Sequence, residues 1–400
     1  MAKPTEALYE TYRTALRGIS LPLAWVDLDR FRENARRLVA RSNGRPIRLA
    51  TKSIRCRPLL RLVLDEHPGF RGLMAYSPRE AAWLGREGFD DVLVAYPTAD
   101  RDGLRDVARA VSDGRRITLT VDSVDHVGLA SEVAAEVGAV LPLCIDLDMS
   151  SDFPGLHFGV QRSPIRSEEA ALEVARAIAR TRNVRLDGVL AYEAQIAGIQ
   201  DAVSGQHANN LVLRALKQRS LAEVIERRGR IVEALRADGH GLVFVNGGGT
   251  GSLRETSTDP HVTELAAGSG LFAPTLFDGY QGLLLEAAAG FAVEVGRIPR
   301  PGVFTCSGGG YVASGPGGKD RLPTPFLPEG GSLLAHEGAG EVQTPVQWKT
   351  PPALGLGDPI FFRHAKAGEL SERFLALHAL EAGRLVESLP TYRGEGRCYI

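Results

Sequence analysis

Cysteine is scarce in this sequence: there are four in 400 residues, and no two form a CxxC pair. Cysteines so far apart exclude a disulfide framework and a cysteine-based zinc site, and they are typical of cytosolic thiols. No apolar run approaches the roughly 18 residues that a membrane span requires. The polar N-terminal stretch MAKPTEALYETYRTALRG lacks the apolar core of a signal peptide. We therefore expect a soluble, cytoplasmic protein without a membrane partner.

The sequence also has no excess of charge of one sign: it contains 47 basic and 48 acidic residues, and its net charge is −1. This balance gives no electrostatic reason to expect nucleic acid as a partner. The composition, 44% hydrophobic and 24% charged, is that of an ordinary globular protein. A chain of 400 residues is too long to fold around one ordinary hydrophobic core, so we expect one large domain and a smaller one.

Short apolar runs alternate with amphipathic stretches between about residue 30 and residue 285. The amphipathic stretches have helical spacing, as in Glu168–Arg180. Strands that alternate with helices predict a parallel sheet, and eight such units fit an α/β fold of the (β/α)8 TIM-barrel type. Strand counting alone leaves a doubly wound open sheet as the alternative. The predicted strands are Ile47–Thr51, Gly72–Ala75, Val92–Ala95, Ile117–Val121, Leu141–Asp146, Leu186–Ala191, Leu242–Asn246 and Glu264–Ala267.

After about residue 286 the sequence becomes rich in Pro, Gly and β-branched residues, which indicates a β-rich C-terminal domain. We expect residues 29–285 to form the barrel and residues 286–400 the β-rich domain. Residues 1–28, through the run at Leu23–Asp27, are expected to pair with that second domain. A helical pattern surrounds His378.

Lys52 ends the first predicted strand, in RLATKSIRC. Active-site groups of a barrel project from the carboxyl ends of its strands, and lysine is rarely buried. A partly desolvated lysine has a lowered pKa, which suits formation of a Schiff base. A surface lysine that simply ends the strand is the alternative.

Two glycine-rich loops follow the seventh and eighth predicted strands, NGGGTGS at residues 246–252 and AAGSGLF at residues 266–272. Glycine runs let backbone N–H groups approach an anion closely, and barrels commonly bind phosphate at these two loops. Each loop alone could be a tight turn. Together they favour a phosphorylated ligand whose other end lies at Lys52.

Five segments together resemble the fold-type III enzymes that use pyridoxal 5′-phosphate (PLP): LPLAWVDLDRFRENARRL, ATKSIRC, GVLAYEAQ, VNGGGTGS and TELAAGSGLF. Within this class the chain is similar to the D-threonine aldolase and D-serine dehydratase branch, over nearly its whole length. The resemblance implies an alanine racemase-like barrel, a C-terminal β domain and a homodimer. It implies a Schiff base on Lys52 and an aromatic contact from Tyr192. It implies phosphate contacts from Gly248, Gly249, Thr250, Gly268, Ser269 and Gly270.

The sequence departs from the family pattern on the fifth strand, where relatives carry an arginine two residues before Gly-Val. Here the stretch is GLHFGV, so His157 takes that position and could donate to the cofactor's phenolic oxygen in a pH-dependent way. A structural histidine is the alternative. Gln195 also replaces a histidine that relatives carry, which puts the neighbouring pocket in doubt.

A second departure concerns the divalent metal that the aldolase and dehydratase relatives bind through a His-x-Cys or His-x-Asp pair. The matching segment is FFRHAKAG, with His364 and Lys366 at the two positions. An ammonium group repels a metal ion, so we expect Lys366 to replace the metal's charge beside the substrate's β-oxygen. His364 would then act as the general acid or base. Retention of the metal through other ligands, such as His336, is the alternative.

The resemblance therefore predicts a PLP-dependent lyase that acts on D-configured β-hydroxy amino acids, with small-molecule substrates only. A base at the β-hydroxyl would cleave the substrate to glycine and an aldehyde, whereas an acid there would eliminate water. We favour the aldol cleavage over the dehydration. The alternatives are an amino acid racemase and a non-catalytic PLP carrier. The substrate side chain does not follow from the sequence.

Overall fold

The computed structural model describes residues 4–400, which belong to two units. The first, which we call the sheet unit, contains the residues up to Arg37, residues 53–63 and residues 269–398. The second, the barrel unit, contains residues 38–52, residues 64–268 and the last two residues. The domain boundaries predicted after residues 28 and 285 stay a proposal. No helix among the described residues is long and apolar enough to span a membrane.

The strands in chain order are β1 (Leu23–Asp27), β2 (Ile47–Ala50), β3 (Phe70–Ala75), β4 (Val92–Val94), β5 (Ile117–Val121), β6 (Leu141–Asp146), β7 (Ser151–Phe153), β8 (Leu156–Phe158), β9 (Val184–Leu190), β10 (Phe244–Gly247), β11 (Glu264–Ala267), β12 (Ala289–Arg300), β13 (Val303–Ser307), β14 (Thr324–Leu327), β15 (Ser332–Leu333), β16 (Gln343–Gln347), β17 (Pro359–Arg363), β18 (Ala376–Glu381) and β19 (Arg384–Pro390).

The α-helices are α1 (Pro4–Ala15), α2 (Leu28–Ala40), α3 (Arg57–Glu66), α4 (Pro78–Arg86), α5 (Arg101–Ser112), α6 (Val124–Val137), α7 (Glu168–Arg180), α8 (Ala194–Ala197), α9 (His207–Ala237), α10 (Leu253–Thr256), α11 (Ser269–Phe272) and α12 (Glu369–Arg373). Short 3-10 helices cover Thr51–Ser53, Thr275–Gly279 and Lys319–Arg321.

Eight strands of the barrel unit close into a parallel barrel in the order β10, β11, β2, β3, β4, β5, β6, β9. The predicted (β/α)8 barrel with a following β-rich region is thereby confirmed. The predicted strands lie within two residues of the observed bounds, and α7 has the bounds that its helical spacing predicts. Ser167 begins α7 because its side chain accepts a hydrogen bond from the Ala170 N–H.

A buried ion network links β2 and β11 inside the barrel. The Arg48 guanidinium donates to both carboxylate oxygens of Glu264 at 2.8 Å and to Asp91 Oδ1 at 2.9 Å. Burial opposes the charge of Arg48, but the two carboxylates raise its pKa above the ordinary value. Removing one partner of such a network leaves an uncompensated buried charge, which typically costs about 3–5 kcal/mol. The network therefore fixes β2, and the residues that follow it, relative to β11.

The sheet unit is built on a nine-stranded sheet in which β1 lies between β12, antiparallel, and β18, parallel. Its core packs the aromatic rings of Tyr12, Trp25 and Phe361 against each other. The helix predicted around His378 is wrong, because that residue lies in β18. There its backbone is paired on both sides, opposite Trp25 of β1 and Ser388 of β19. These tertiary pairings override the local helical spacing.

Candidate functional site

The carboxyl ends of the barrel strands bring reactive side chains to one edge of the barrel unit, as parallel strands require. Lys52 lies two residues after β2, Tyr96 two residues after β4, Asp146 at the end of β6, and Tyr192 two residues after β9. Gly248 follows β10 directly. We call these five residues the barrel rim. Three of them, Lys52, Tyr192 and Gly248, were predicted as site residues.

Lys52 and Tyr96 are in direct contact at the rim. The Lys52 Nζ donates to the Tyr96 hydroxyl at 2.6 Å, and it lies 5.3 Å from the centre of the Tyr96 ring. The side chain of Lys52 is exposed, whereas Tyr96 is half-buried. The expectation that Lys52 is partly desolvated is therefore wrong. Tyr96 was not predicted, because nothing in AYPTAD distinguishes it from a packing residue.

Arg162 contributes a positive charge to the same region. Its guanidinium lies 5.9 Å from the centre of the Tyr96 ring, on the face of the aromatic system. Burial acts to raise the pKa of Tyr96, but the positive charges of Lys52 and Arg162 outweigh it, and the pKa is lowered. The Tyr96 hydroxyl is thus easier to ionise than an ordinary tyrosine.

Asp146 is a half-buried carboxyl group at the end of β6. Burial raises its pKa from 3.8 to about 7, and the negative charges of Asp122 and Asp148 act in the same direction. Arg162 opposes this shift without cancelling it. Near neutral pH the carboxyl group therefore exists in both protonation states, which is a property common at functional sites.

The glycine loop after β10 lies against Tyr192. A Cβ atom on Gly249 would stand 2.9 Å from Ala197 Cβ and 3.0 Å from Tyr192 Cε2, and Gly248 has a φ of +81°. Both positions therefore require glycine. Burial, followed by the charge of Glu193, raises the pKa of Tyr192 above the ordinary value, so its hydroxyl stays protonated.

Two N–H groups of this loop already have acceptors within the protein. The Gly248 N–H donates to Glu193 Oε2 at 3.3 Å, and the Gly249 N–H donates to Ser252 Oγ at 3.1 Å. Ser252 in turn donates to Glu193 Oε1 at 2.7 Å. A phosphate on this loop would therefore depend on Thr250 and on rearrangement of these two bonds, and the predicted phosphate contacts stay a prediction.

Glu193 belongs to a fully buried charge cluster that the sequence did not reveal. Arg228 donates to Glu193 Oε2 at 2.7 Å and to Asp259 Oδ2 at 2.5 Å, and all three side chains have 0% exposure. The arginine-rich stretch RSLAEVIERRGR has the composition of a solvated helix face, but Arg228 within it is fully buried. The Arg228 guanidinium also donates to the Ala191 carbonyl at 2.8 Å, so the cluster anchors the end of β9 just before Tyr192.

His157 lies on the β7–β8 hairpin and is paired with Asp152, with Nδ1 2.7 Å from Oδ1. This hydrogen bond raises the pKa of His157. Among the described residues, no member of the barrel rim hydrogen bonds to its imidazole. Its role toward a cofactor stays a prediction.

His364 and Lys366 belong to the sheet unit and follow β17. His364 is 4% exposed, and its ring lies against the backbone of Ala289. Burial and the neighbouring Arg363 lower its pKa to about 3, so the imidazole is neutral. The Lys366 Nζ donates to the Ser314 carbonyl at 3.4 Å. Within residues 4–400, no group of three His, Cys, Asp or Glu side chains could hold a metal ion.

Residues 26–274 match the family model described as alanine racemase, N-terminal domain. The chain belongs to this family. A 3-hydroxy-D-aspartate aldolase of Paracoccus denitrificans (strain Pd 1222) is 28% identical over 257 residues, 64% of this chain. A second 3-hydroxy-D-aspartate aldolase of Paracoccus denitrificans is 29% identical over 259 residues. Each match spans only 60% of the relative's own length.

Solved structures of similar proteins have the same fold as this member of the alanine racemase N-terminal domain family. D-threonine aldolase from Filomicrobium marinum has a TM-score of 0.81 at 19% identity, covering 94% of this chain and 96% of the aldolase. D-threo-3-hydroxyaspartate dehydratase from Delftia sp. HT23 has a TM-score of 0.75 at 21% identity, covering 94% and 98%. These likenesses cover both the barrel and the β-rich region, and at these identities they establish the fold alone.

The raised pKa of Asp146 predicts a pH-dependent stability. Between pH 3.8 and about 7 the unfolded chain loses the Asp146 proton while the folded protein keeps it, so this group makes folding less favourable as pH rises. Asp146→Asn removes the effect. The free energy of unfolding of Asp146→Asn minus that of the wild type should therefore be about 2–3 kcal/mol larger at pH 8 than at pH 5.

Urea denaturation at the two pH values measures this difference. Asp125→Asn, at an exposed position in the first turn of α6, is the control and should show no comparable change. If Asp146→Asn differs from the wild type by the same free energy of unfolding at both pH values, the raised pKa of Asp146 is contradicted.

Proposed function

We propose that this protein is a PLP-dependent lyase that acts on D-configured β-hydroxy amino acids, with Lys52 as the residue that holds the cofactor covalently. The observation that carries the proposal is the position of Lys52. It is an exposed lysine at the rim of a barrel in the alanine racemase N-terminal domain family, hydrogen-bonded to the Tyr96 hydroxyl at 2.6 Å. The family is one of PLP-dependent enzymes. Its similar proteins include aldolases and a dehydratase.

The rim residues fit an aromatic cofactor with an anionic tail. Tyr96 and Tyr192 offer aromatic surfaces, and Gly249 leaves room beside the Tyr192 ring that a Cβ atom would fill. For the phosphate we propose Gly248, Gly249, Thr250 and Gly268, with Ser269 and Gly270, the next residues of the chain. His157 is proposed as a donor to the phenolic oxygen, in its Asp152-paired form.

PLP, when bound, supplies an electron sink that stabilises negative charge developing at the substrate's Cα. The protein determines which bond breaks by orienting that bond and by placing groups that accept or donate a proton. Lys52 holds the cofactor, and its amine is the group available to exchange a proton at Cα. Tyr96 lies close enough to exchange a proton with that amine.

The relatives favour aldol cleavage over dehydration within this proposal, because the Paracoccus denitrificans proteins are named as aldolases. Cleavage to glycine and an aldehyde requires an acceptor for the proton of the β-hydroxyl, whereas dehydration requires a donor to the leaving hydroxyl. Burial lowers the pKa of His364 to about 3, which makes its imidazole a weak acceptor and a poor donor, so His364 alone does not decide between the two reactions. Dehydration remains the second candidate, because D-threo-3-hydroxyaspartate dehydratase shares the fold.

We further propose a homodimer in the cytoplasm with small amino acids as its substrates. An amino acid racemase and a non-catalytic PLP carrier are the alternative functions, and the turnover assay distinguishes them. A carrier of the single-domain barrel type has no β-rich unit, whereas this chain has one.

Turnover of D-configured β-hydroxy amino acids tests the function. With PLP, we expect D-threonine or 3-hydroxy-D-aspartate to give glycine and the corresponding aldehyde, measured by amino acid analysis and aldehyde derivatisation. A keto acid with ammonia would instead indicate dehydration, and the L enantiomer would indicate a racemase. Lys52→Ala should lower turnover at least a thousandfold, since the covalent bond between the protein and the cofactor is lost. Lys349→Ala, an exposed lysine of the sheet unit, is the control and should leave it unchanged.

Metal content tests the roles proposed for His364 and Lys366. Because an ammonium group stands where relatives place a metal ligand, we expect purified protein to contain far less than one divalent ion per chain by elemental mass spectrometry. His364→Ala should not change that content. A stoichiometric ion that disappears in His364→Ala would show that the metal is retained and that Lys366 does not replace it.

A further inference from the structure

Formation of a Schiff base at Lys52 requires a neutral amine. An aliphatic amine in water is protonated at neutral pH, since its ordinary pKa is about 10.4. Only the neutral amine has a lone pair with which to attack an aldehyde carbon. Lys52 is exposed. A proton acceptor close to Nζ is therefore needed.

Tyr96 is in the position to be that acceptor. Its hydroxyl oxygen lies 2.6 Å from the Lys52 Nζ and receives the hydrogen bond from it. The barrel fixes both residues, because β2 and β4 are the two neighbours of β3 and each residue lies two positions beyond its strand. We propose that Tyr96 is a catalytic residue that takes the proton of Lys52 and returns it during turnover.

The groups that face Tyr96 from the neighbouring strand ends and loops determine how readily its hydroxyl ionises to the phenolate that accepts the proton. Lys52 and the Arg162 guanidinium supply positive charge, and the negative charge of Asp146 and the phenol of Tyr192 oppose ionisation of Tyr96. The positive charges outweigh the others, so a phenolate at this position is stabilised. Arg162 is accordingly a positioning residue, which acts on the reaction through Tyr96.

The step itself is a single proton transfer. The N–H bond of the Lys52 ammonium breaks and an O–H bond to the Tyr96 phenolate forms, which leaves a neutral amine and a neutral phenol. No other bond changes and no further reactant is needed. The reverse transfer returns the proton to Nζ, so the pair also serves as a local proton store for the reaction at Cα.

The test compares wild type, Tyr96→Phe and Tyr9→Phe, each freed of cofactor. PLP is added, samples are reduced with borohydride, and the pyridoxyl adduct on the Lys52 peptide is quantified over time between pH 6.5 and pH 10. Tyr96→Phe keeps the ring and removes only the proton acceptor. Tyr9→Phe removes a hydroxyl that donates to the Pro359 carbonyl in the sheet unit, and it controls for the substitution.

We expect adduct formation at pH 7 to be at least tenfold slower in Tyr96→Phe than in the other two proteins. The deficit should shrink with rising pH and disappear near pH 10, where solvent deprotonates the amine. Equal rates in all three proteins at every pH, or a deficit that does not depend on pH, would overturn the role of Tyr96.

This inference rests on the proposed function, and the two can fail separately. If the wild type itself forms no adduct at Lys52, the proposed function fails. If the adduct forms but Tyr96→Phe behaves as the wild type, only the role of Tyr96 fails. A second measurement needs neither cofactor nor turnover: ultraviolet difference titration of the wild type should show one tyrosine that ionises below the ordinary range. Its absence from the wild type, or its persistence in Tyr96→Phe, would also overturn the inference.

Discussion

Closure of the parallel barrel is the constraint on which the candidate site depends. Eight strands that run in one direction deliver eight strand ends to a single rim, so residues far apart in sequence become neighbours there. Lys52 and Tyr96 are 44 residues apart in the chain and 2.6 Å apart at the rim. The Arg48–Glu264 ion pair inside the barrel joins the first strand to the last, and it holds the segment that carries Lys52 in place.

The candidate site is supported by buried charged side chains, whose removal from water costs desolvation free energy. Arg228 has no solvent exposure and stands between Glu193 and Asp259, which are equally buried. Such clusters persist where each buried charge is paired, since an unpaired buried charge is strongly destabilising. Here Ser252, Thr256 and the Gly248 N–H complete the shell around Glu193. The result is a rigid base for Tyr192 and the glycine loop, whereas Lys52 itself remains exposed.

Much of the fold follows from periodicity, and less of the site does. Alternating apolar runs predicted the eight barrel strands, because a strand buried on both faces has a continuous apolar sequence. The same reasoning misassigned His378, whose strand is fixed by β1 and β19 rather than by its own residues. Lys52 could be predicted because strand ends form the rim. Tyr96 and Arg228 could not, since their importance depends on neighbours from distant segments.

Trapping the cofactor on its lysine tests the central claim most directly. The protein is incubated with excess PLP, reduced with borohydride, digested and mapped by mass spectrometry. The account predicts close to one pyridoxyl group per chain, located on the peptide that contains Lys52, and none there in Lys52→Ala. Stoichiometric labelling at another lysine, or no reducible adduct at all, would contradict it.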